Sequence, residues 1–261
     1  MTGGIFYLIF LLILAITPSL IWLDYYLRRD DRPEPRRWLI FTFCFGVFIT
    51  IFINFLEINV IGNWQESLSN KELKIIIFFL LLPFIEEVGK FLAAFFSTIK
   101  NRFFGDETTD PIIYTITAGL GFAAAENLKV CFSILQENFV FINWYNLASL
   151  SLSSTIINTL IITIFIRFLS AVFLHATSCA IFGYFWSVGL ILKKKKNIIA
   201  GLIVFGIIIA SVLHSCYNYL IMKMNANLYF ALGVFLLLAI SNYIMSRAFK
   251  QIKSYQKNYD V

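Results

Sequence analysis

Seven apolar stretches take up most of this chain: Gly4–Leu23, Trp38–Ile61, Leu73–Thr98, Pro111–Leu135, Phe168–Leu192, Ile198–Met222 and Leu228–Ser246. Each is long enough to cross a ~30 Å hydrocarbon core at ~1.5 Å per helical residue. An eighth stretch, Leu147–Ile166, is Ser- and Thr-rich at its start. The expected fold is therefore all-α: a polytopic transmembrane helical bundle of seven to eight hydrophobic helices, one of them re-entrant. With 59% hydrophobic and 14% charged residues, no length remains for a separate soluble domain. Residues 1–261 read as one domain, with a chemistry-bearing core at about 73–222. The first stretch lacks a basic leader and a small-residue cleavage site, so it reads as a retained span.

The net charge of +6 is not a nucleic-acid signal, because the basic residues fall in short clusters between spans and set orientation there. The loop Asp24–Arg37 carries Arg28, Arg29, Arg32, Arg36 and Arg37. The positive-inside rule makes it cytoplasmic and the N-terminus external. Lys100 and Arg102 then fall inside, and the loop at Gln136–Tyr145, with no Lys or Arg, falls outside. Lys193–Lys196 should lie inside, which requires an odd number of crossings after Tyr145. Leu147–Ile166 is therefore expected not to cross fully, but to be re-entrant or interfacial. The alternative is eight full spans with the basic rule broken. Seven crossings put Arg247, Lys250, Lys253 and Lys257 inside as well. The four cysteines, Cys44, Cys131, Cys179 and Cys216, lie in apolar runs and read as reduced small hydrophobes.

Charge inside the spans is the informative exception. A charged side chain at the centre of a membrane helix costs about 2.5–3.5 kcal/mol on insertion scales, so intramembrane ionisable groups default to function. Glu86, Glu87 and Lys90 share one stretch. Glu86 and Lys90, four apart, are expected to pair, with Glu87 turned ~100° away and left without a partner. The next stretch holds Glu126 and Asn127 behind the small residues Gly119, Gly121 and Ala123–Ala125, which let a neighbouring helix approach closely. Lys129 reads as snorkelling outward, and Asn54 and Glu57 as interfacial. Arg167 is positioned to meet a lipid phosphate or a site carboxylate. His175 precedes the small residues Ala176, Ser178, Cys179 and Gly183, and His214 and Asn218 share a face on the following stretch. Glu126, His175 and His214 all sit about seven to nine residues below the outer helix ends, hence at one level ~10–14 Å deep. Ser178 and Cys179 have nothing to poise them as nucleophiles.

Four motifs in order complete the pattern: Glu86-Glu87-Val88-Gly89-Lys90, Phe122-Ala-Ala-Ala-Glu126-Asn127, His175 with Gly183, and His214-Ser-Cys-Tyr-Asn218. These resemble the motifs of the PrsW-type intramembrane proteases, within a wider group that includes the CAAX prenyl endopeptidases. The HxxxN form of the last motif is closer to the prenyl endopeptidases. The resemblance implies a multi-pass peptidase of the cytoplasmic membrane, C-terminus inside, cutting a membrane-anchored protein such as an anti-sigma factor on the extracytoplasmic side. Prenylated or bacteriocin-like peptides are the substrates that the wider group suggests.

Two mechanisms stay open at this point. Glu126, His175 and His214 could hold Zn²⁺ with an open position for water. Alternatively, Glu86 deprotonates the water directly while Glu126 and His175 position it and His214 and Asn218 stabilise the oxyanion. In both, Glu87 belongs to the site, and Lys90 and Asn127 stand behind the reacting groups. The competing class is a non-catalytic membrane scaffold, or a transporter using the same groups as a proton relay. No nucleic-acid partner is expected, and the bilayer is the surrounding medium.

Overall fold

A computed structural model describes residues 2–64, 69–99, 101, 104–105, 107–138, 152–224 and 227–259. Lys100, Arg102 and most of the expected outer loop up to Ser151 lie outside the described residues. Nine α-helices are described, and no strand appears among the described residues. They are α1 (Thr2–Leu27), α2 (Arg36–Leu56), α3 (Lys71–Ile76), α4 (Leu82–Thr98), α5 (Asp110–Asn138), α6 (Ser154–Leu169), α7 (Ala171–Ile191), α8 (Lys196–Met224) and α9 (Tyr229–Tyr259). Helix α2 runs on into a π-helical turn at Glu57–Gly62, and a second π-helical turn at Ile77–Leu81 joins α3 to α4.

Six helices among the described residues are long and apolar enough to cross a membrane. The seventh apolar stretch, α3 through α4, carries Glu86, Glu87 and Lys90 on adjacent turns. Those charges set it apart from the six, yet Glu87 and Lys90 are fully buried. The chain is thus a multi-pass helical bundle. Of the expected stretch Leu147–Ile166, residues 147–151 lie outside the described residues, and Ser154–Ile166 forms no separate hairpin. Helices α6 and α7 follow each other through a break at Ser170 (φ −122, ψ −81), and Ser154–Ile191 counts as one candidate span. Ile156 and Leu160 pack with Leu11 and Leu135, whereas Trp22 meets Phe168 and Phe173. The broken helix therefore descends alongside α1 in one direction.

Helix α5 is the central post, packed against α1, α2, α4, α6 and α7. Its small residues set the spacing. A Cβ on Gly121 would sit 2.1 Å from the Phe43 carbonyl oxygen, and one on Gly46 2.1 Å from that of Ala118, so α2 and α5 touch backbone to backbone. A Cβ on Gly119 would meet Cys179 Sγ at 2.3 Å, which fixes α7 as closely on the other side. The close approach at Gly119 brings α5 and α7 together on the face where Glu126 reaches His175.

The loops drawn as cytoplasmic gather at one end of the bundle. Lys253 pairs with Asp31 at 2.8 Å, Thr108 donates to the Ile252 carbonyl, and Tyr184 donates to Gln251. The last helix extends to Tyr259, well past the expected Ser246. Its polar tail is tied down by these contacts and by Met245, Phe249 and Ile252 in the core.

Candidate active site

Glu87, not Glu86, is the hub of the buried charges. Its Oε1 accepts from Lys90 Nζ at 2.7 Å and lies 2.8 Å from His214 Nδ1, and its Oε2 accepts from Ser178 Oγ at 3.1 Å. The expectation that Glu87 lacks a partner is therefore wrong, and Lys90 stands 3.8 Å from Glu86, beyond hydrogen-bond range. Residues three and four apart on a helix are equally near. What turns Lys90 toward Glu87 is the arrival of α7 and α8, which bring Ser178 and His214 to that face. Lys90, with no exposed surface, also lies over the Phe122 ring at 4.6 Å. Phe122 in turn packs against His175, with ring centroids 5.6 Å apart. The aromatic residue that opens the second motif thus separates the lysine of the first from the histidine of the third.

Glu86 differs. Its buried Oε2 has no hydrogen-bond partner among the described residues, although it lies 3.8 Å from both Lys90 Nζ and His214 Nε2. A buried carboxylate oxygen without a hydrogen bond is costly in a structural role. It suits a group kept ready for another molecule.

Glu126 is held from two sides. Its Oε2 is 2.7 Å from His175 Nε2 and 3.3 Å from Arg167. Arg167 also donates from Nε to Asn127 Oδ1 at 2.7 Å, and Asn127 Nδ2 donates to the Ala15 carbonyl at 3.1 Å. Asn127 so clips α1, α5 and α6 together. The break at Ser170 is what allows this. Arg167 and His175, eight residues apart, both reach Glu126, a span of about 12 Å on a straight helix. The two imidazoles meet edge to face at 5.4 Å.

The structure therefore brings Glu86, Glu87, Lys90, Glu126, His175 and His214 into one cluster, with Asn127 behind Glu126. Asn218 lies one turn beyond His214 on α8, half-buried, outside this hydrogen-bonded net. Arg167 meets a site carboxylate, one of its two expected partners, and Ser178 goes beyond the sequence reading as a donor to Glu87. Their signals were an arginine inside an apolar run and a serine three residues after His175. Lys129 bonds Asn54, tying α5 to α2.

The donor types, two imidazoles and several carboxylates, suit zinc. Their arrangement does not: among the described residues no three His, Cys, Asp or Glu side chains converge as a metal-ion site. His175 Nε2 faces Glu126, and its buried Nδ1 has no partner. The third proposed ligand, His214, is turned by Nδ1 to Glu87. As arranged, Glu126, His175 and His214 do not form a preassembled zinc shell.

Comparison with known proteins agrees with the family resemblance. The chain is 36% identical over 125 residues to Protease PrsW of Clostridioides difficile (strain 630), a match covering 47% of this chain and 51% of that protein. It thus spans about half the length of the curated relative that it matches. No solved structure matches. The family described as PrsW family intramembrane metalloprotease matches residues 34–244, a stretch that holds every motif residue above. The chain belongs to that family.

Proposed function

We propose that this protein is a membrane-embedded endopeptidase in which Glu86 activates water against a peptide bond of a membrane-anchored protein. The observation that carries the reading is the unpartnered Glu86 Oε2, 3.8 Å from His214 Nε2. That gap is too long for a direct hydrogen bond and suits one bridging water.

The chemistry follows from the partners. A carboxylate only accepts, so His214 Nδ1 donates to Glu87, and neutral His214 presents a lone pair at Nε2. A water between Nε2 and Glu86 donates a hydrogen to each and turns a lone pair outward. As its oxygen bonds to the scissile carbonyl carbon, Glu86 takes the water's proton. The carbon–nitrogen bond then breaks, and Glu86 returns the proton to the leaving amine. His214 serves better as an acceptor for water than as the oxyanion donor expected from sequence. The half-buried Asn218 amide, one turn away, takes the oxyanion role. Glu87 and Lys90 hold the ring and balance charge. Glu126, His175 and Arg167 form the opposite wall. The family's description includes a metal, but no step here runs through one, because three ligands do not converge.

The substrate class is a protein with a membrane span and an extracytoplasmic portion, of the anti-sigma-factor kind. Orientation supports this. With the basic loops cytoplasmic, the N-terminus is outside, the C-terminus inside, and the cluster in the outer half of the bilayer. The test is co-expression with a tagged single-span anti-sigma factor. Wild type should release a shortened fragment, and Glu86→Gln and His214→Ala should not. Cleavage by both variants at the wild-type rate would end the proposal.

A further inference from the structure

The bundle carries a second built feature, away from the carboxylates. Between α7, α8 and the inner half of α9 lies a groove of about 600 Å³. Its walls are apolar: Ile181 and Phe185 of α7, Ile209 and Leu213 of α8, and Ile240 and Ile244 of α9. At one end it reaches Arg247, beside Tyr184 and Gln251.

Three observations decide what fits there. The first is that the groove is held open, and is not a loose helix edge. Above it, Leu238 and Val234 of α9 are packed with Tyr217 and Leu174. At its lower end, Phe249 and Ile252 enter the main core beside the lining residue Met245, and Gln251 and Lys253 are tied to Tyr184 and Asp31. With both ends of this segment fixed, the space between cannot close by a simple swing of α9.

The second is length. The α9 lining runs from Leu237 to Gln251, about 21 Å of helix at ~1.5 Å per residue. A membrane-crossing peptide would need the full ~30 Å core. The groove matches one leaflet with its headgroup zone.

The third is charge. Arg247 is exposed, and its contact is the Tyr243 ring, 6.0 Å from the guanidinium, with no carboxylate partner among the described residues. Lys250 is exposed one turn further on, and the Lys193–Lys196 run follows α7 at the same end. The nearby acid Asp31 is engaged by Lys253. A guanidinium with free donors is suited to a phosphodiester, and basic pockets between membrane helices on the cytoplasmic side select anionic headgroups.

We propose that this groove holds one anionic phospholipid from the leaflet facing the basic loops, its acyl chain along Ile181, Phe185 and Ile244 and its phosphate on Arg247. This site does not depend on the peptidase reading, and its test needs no proteolytic substrate.

The test is native mass spectrometry of the full chain, released from detergent after titration with phosphatidylglycerol or with phosphatidylcholine of the same acyl chains. Wild type should retain one phosphatidylglycerol at concentrations where phosphatidylcholine is lost. Arg247→Gln should reduce that occupancy about tenfold. Ile240→Trp, which fills the groove and leaves Arg247 in place, should exclude both lipids. A monodisperse size-exclusion profile for each variant establishes that it is folded. Equal retention of the two lipids, or full retention of phosphatidylglycerol by Arg247→Gln, would overturn the proposal. Loss of lipid in Ile240→Trp alone would mean an apolar groove without headgroup selection, and would overturn it too.

Discussion

Replacing Glu87 with Gln separates the structural and chemical parts of this account. Glu87 has no exposed surface and meets Lys90 at 2.7 Å, His214 at 2.8 Å and Ser178 at 3.1 Å. Gln preserves the volume and the Ser178 contact but removes the charge. Removing one partner of a buried ion pair costs about 3–5 kcal/mol, because the other charge is left uncompensated. Lys90 retains Glu86 at 3.8 Å, which places the expected loss near the low end, about 3 kcal/mol. In a chain this long that lowers the midpoint by about 6–12 °C. The lysine should also lean toward Glu86 and occupy the base. Glu87→Gln is then both less stable and inactive. The assay is thermal unfolding in detergent of wild type, Glu87→Gln, Lys90→Met and the double variant, as a double-mutant cycle. The double variant should regain most of the stability but none of the activity. A wild-type midpoint for Glu87→Gln, with no coupling to Lys90, would refute the reasoning.

Other expectations follow from the same contacts. Arg167→Gln frees Glu126 on one side and should slow cleavage by about 10–10²-fold, the cost of ~1 Å of misplacement; an unchanged rate would remove Arg167 from the site. Gly121→Ala drives a Cβ to 2.1 Å from the Phe43 carbonyl oxygen and should cost about 1–3 kcal/mol by overpacking. Gly201→Ala, which meets nothing within 4 Å, should be neutral or gain up to about 1 kcal/mol of helix stability; a like response of the two in thermal melts would contradict the α2–α5 contact. In the loop after α1, burial and then the neighbouring Glu107 push the Asp30 carboxyl from 3.8 up to about 8. The native state thus holds this proton more tightly than the unfolded chain. The stability it contributes is complete below pH ~4 and is lost as pH rises to about 8, so melts from pH 4 to 9 should show a decline that Asp30→Asn flattens. Protein purified without chelator should cleave equally well after 1,10-phenanthroline treatment. Near-stoichiometric zinc in wild type, absent from Glu126→Ala and His175→Ala, would instead show that the histidines regroup around a metal.

The spans were legible because long apolar runs have few other uses, and the site was legible because Glu86, Glu87, Glu126, His175 and His214 are costly in such runs. Glu126, His175 and His214, expected at one level, do lie side by side: Glu126 meets His175, and the two imidazoles pack edge to face. Partner choice was not legible. Helical spacing allows Lys90 to reach either glutamate, and the preference for Glu87 comes from α7 and α8, which local pattern does not reveal. The break at Ser170 has no Gly or Pro to announce it, so the sequence left Arg167 with two expected partners, of which the Glu126 carboxylate is the one met. The π-helical turns at Glu57–Gly62 and Ile77–Leu81 likewise have no Gly or Pro at their start and no periodic pattern to announce them.

The central claim is that Glu86 delivers water to a peptide carbonyl. The most direct measurement is cleavage of a reconstituted single-span substrate in ¹⁸O-labelled water, with mass spectrometry of the new C-terminus. Wild type should incorporate one ¹⁸O atom per cut, and Glu86→Gln should give no product while retaining the wild-type fold and melting point. A labelled product formed by Glu86→Gln at the wild-type rate would contradict the account.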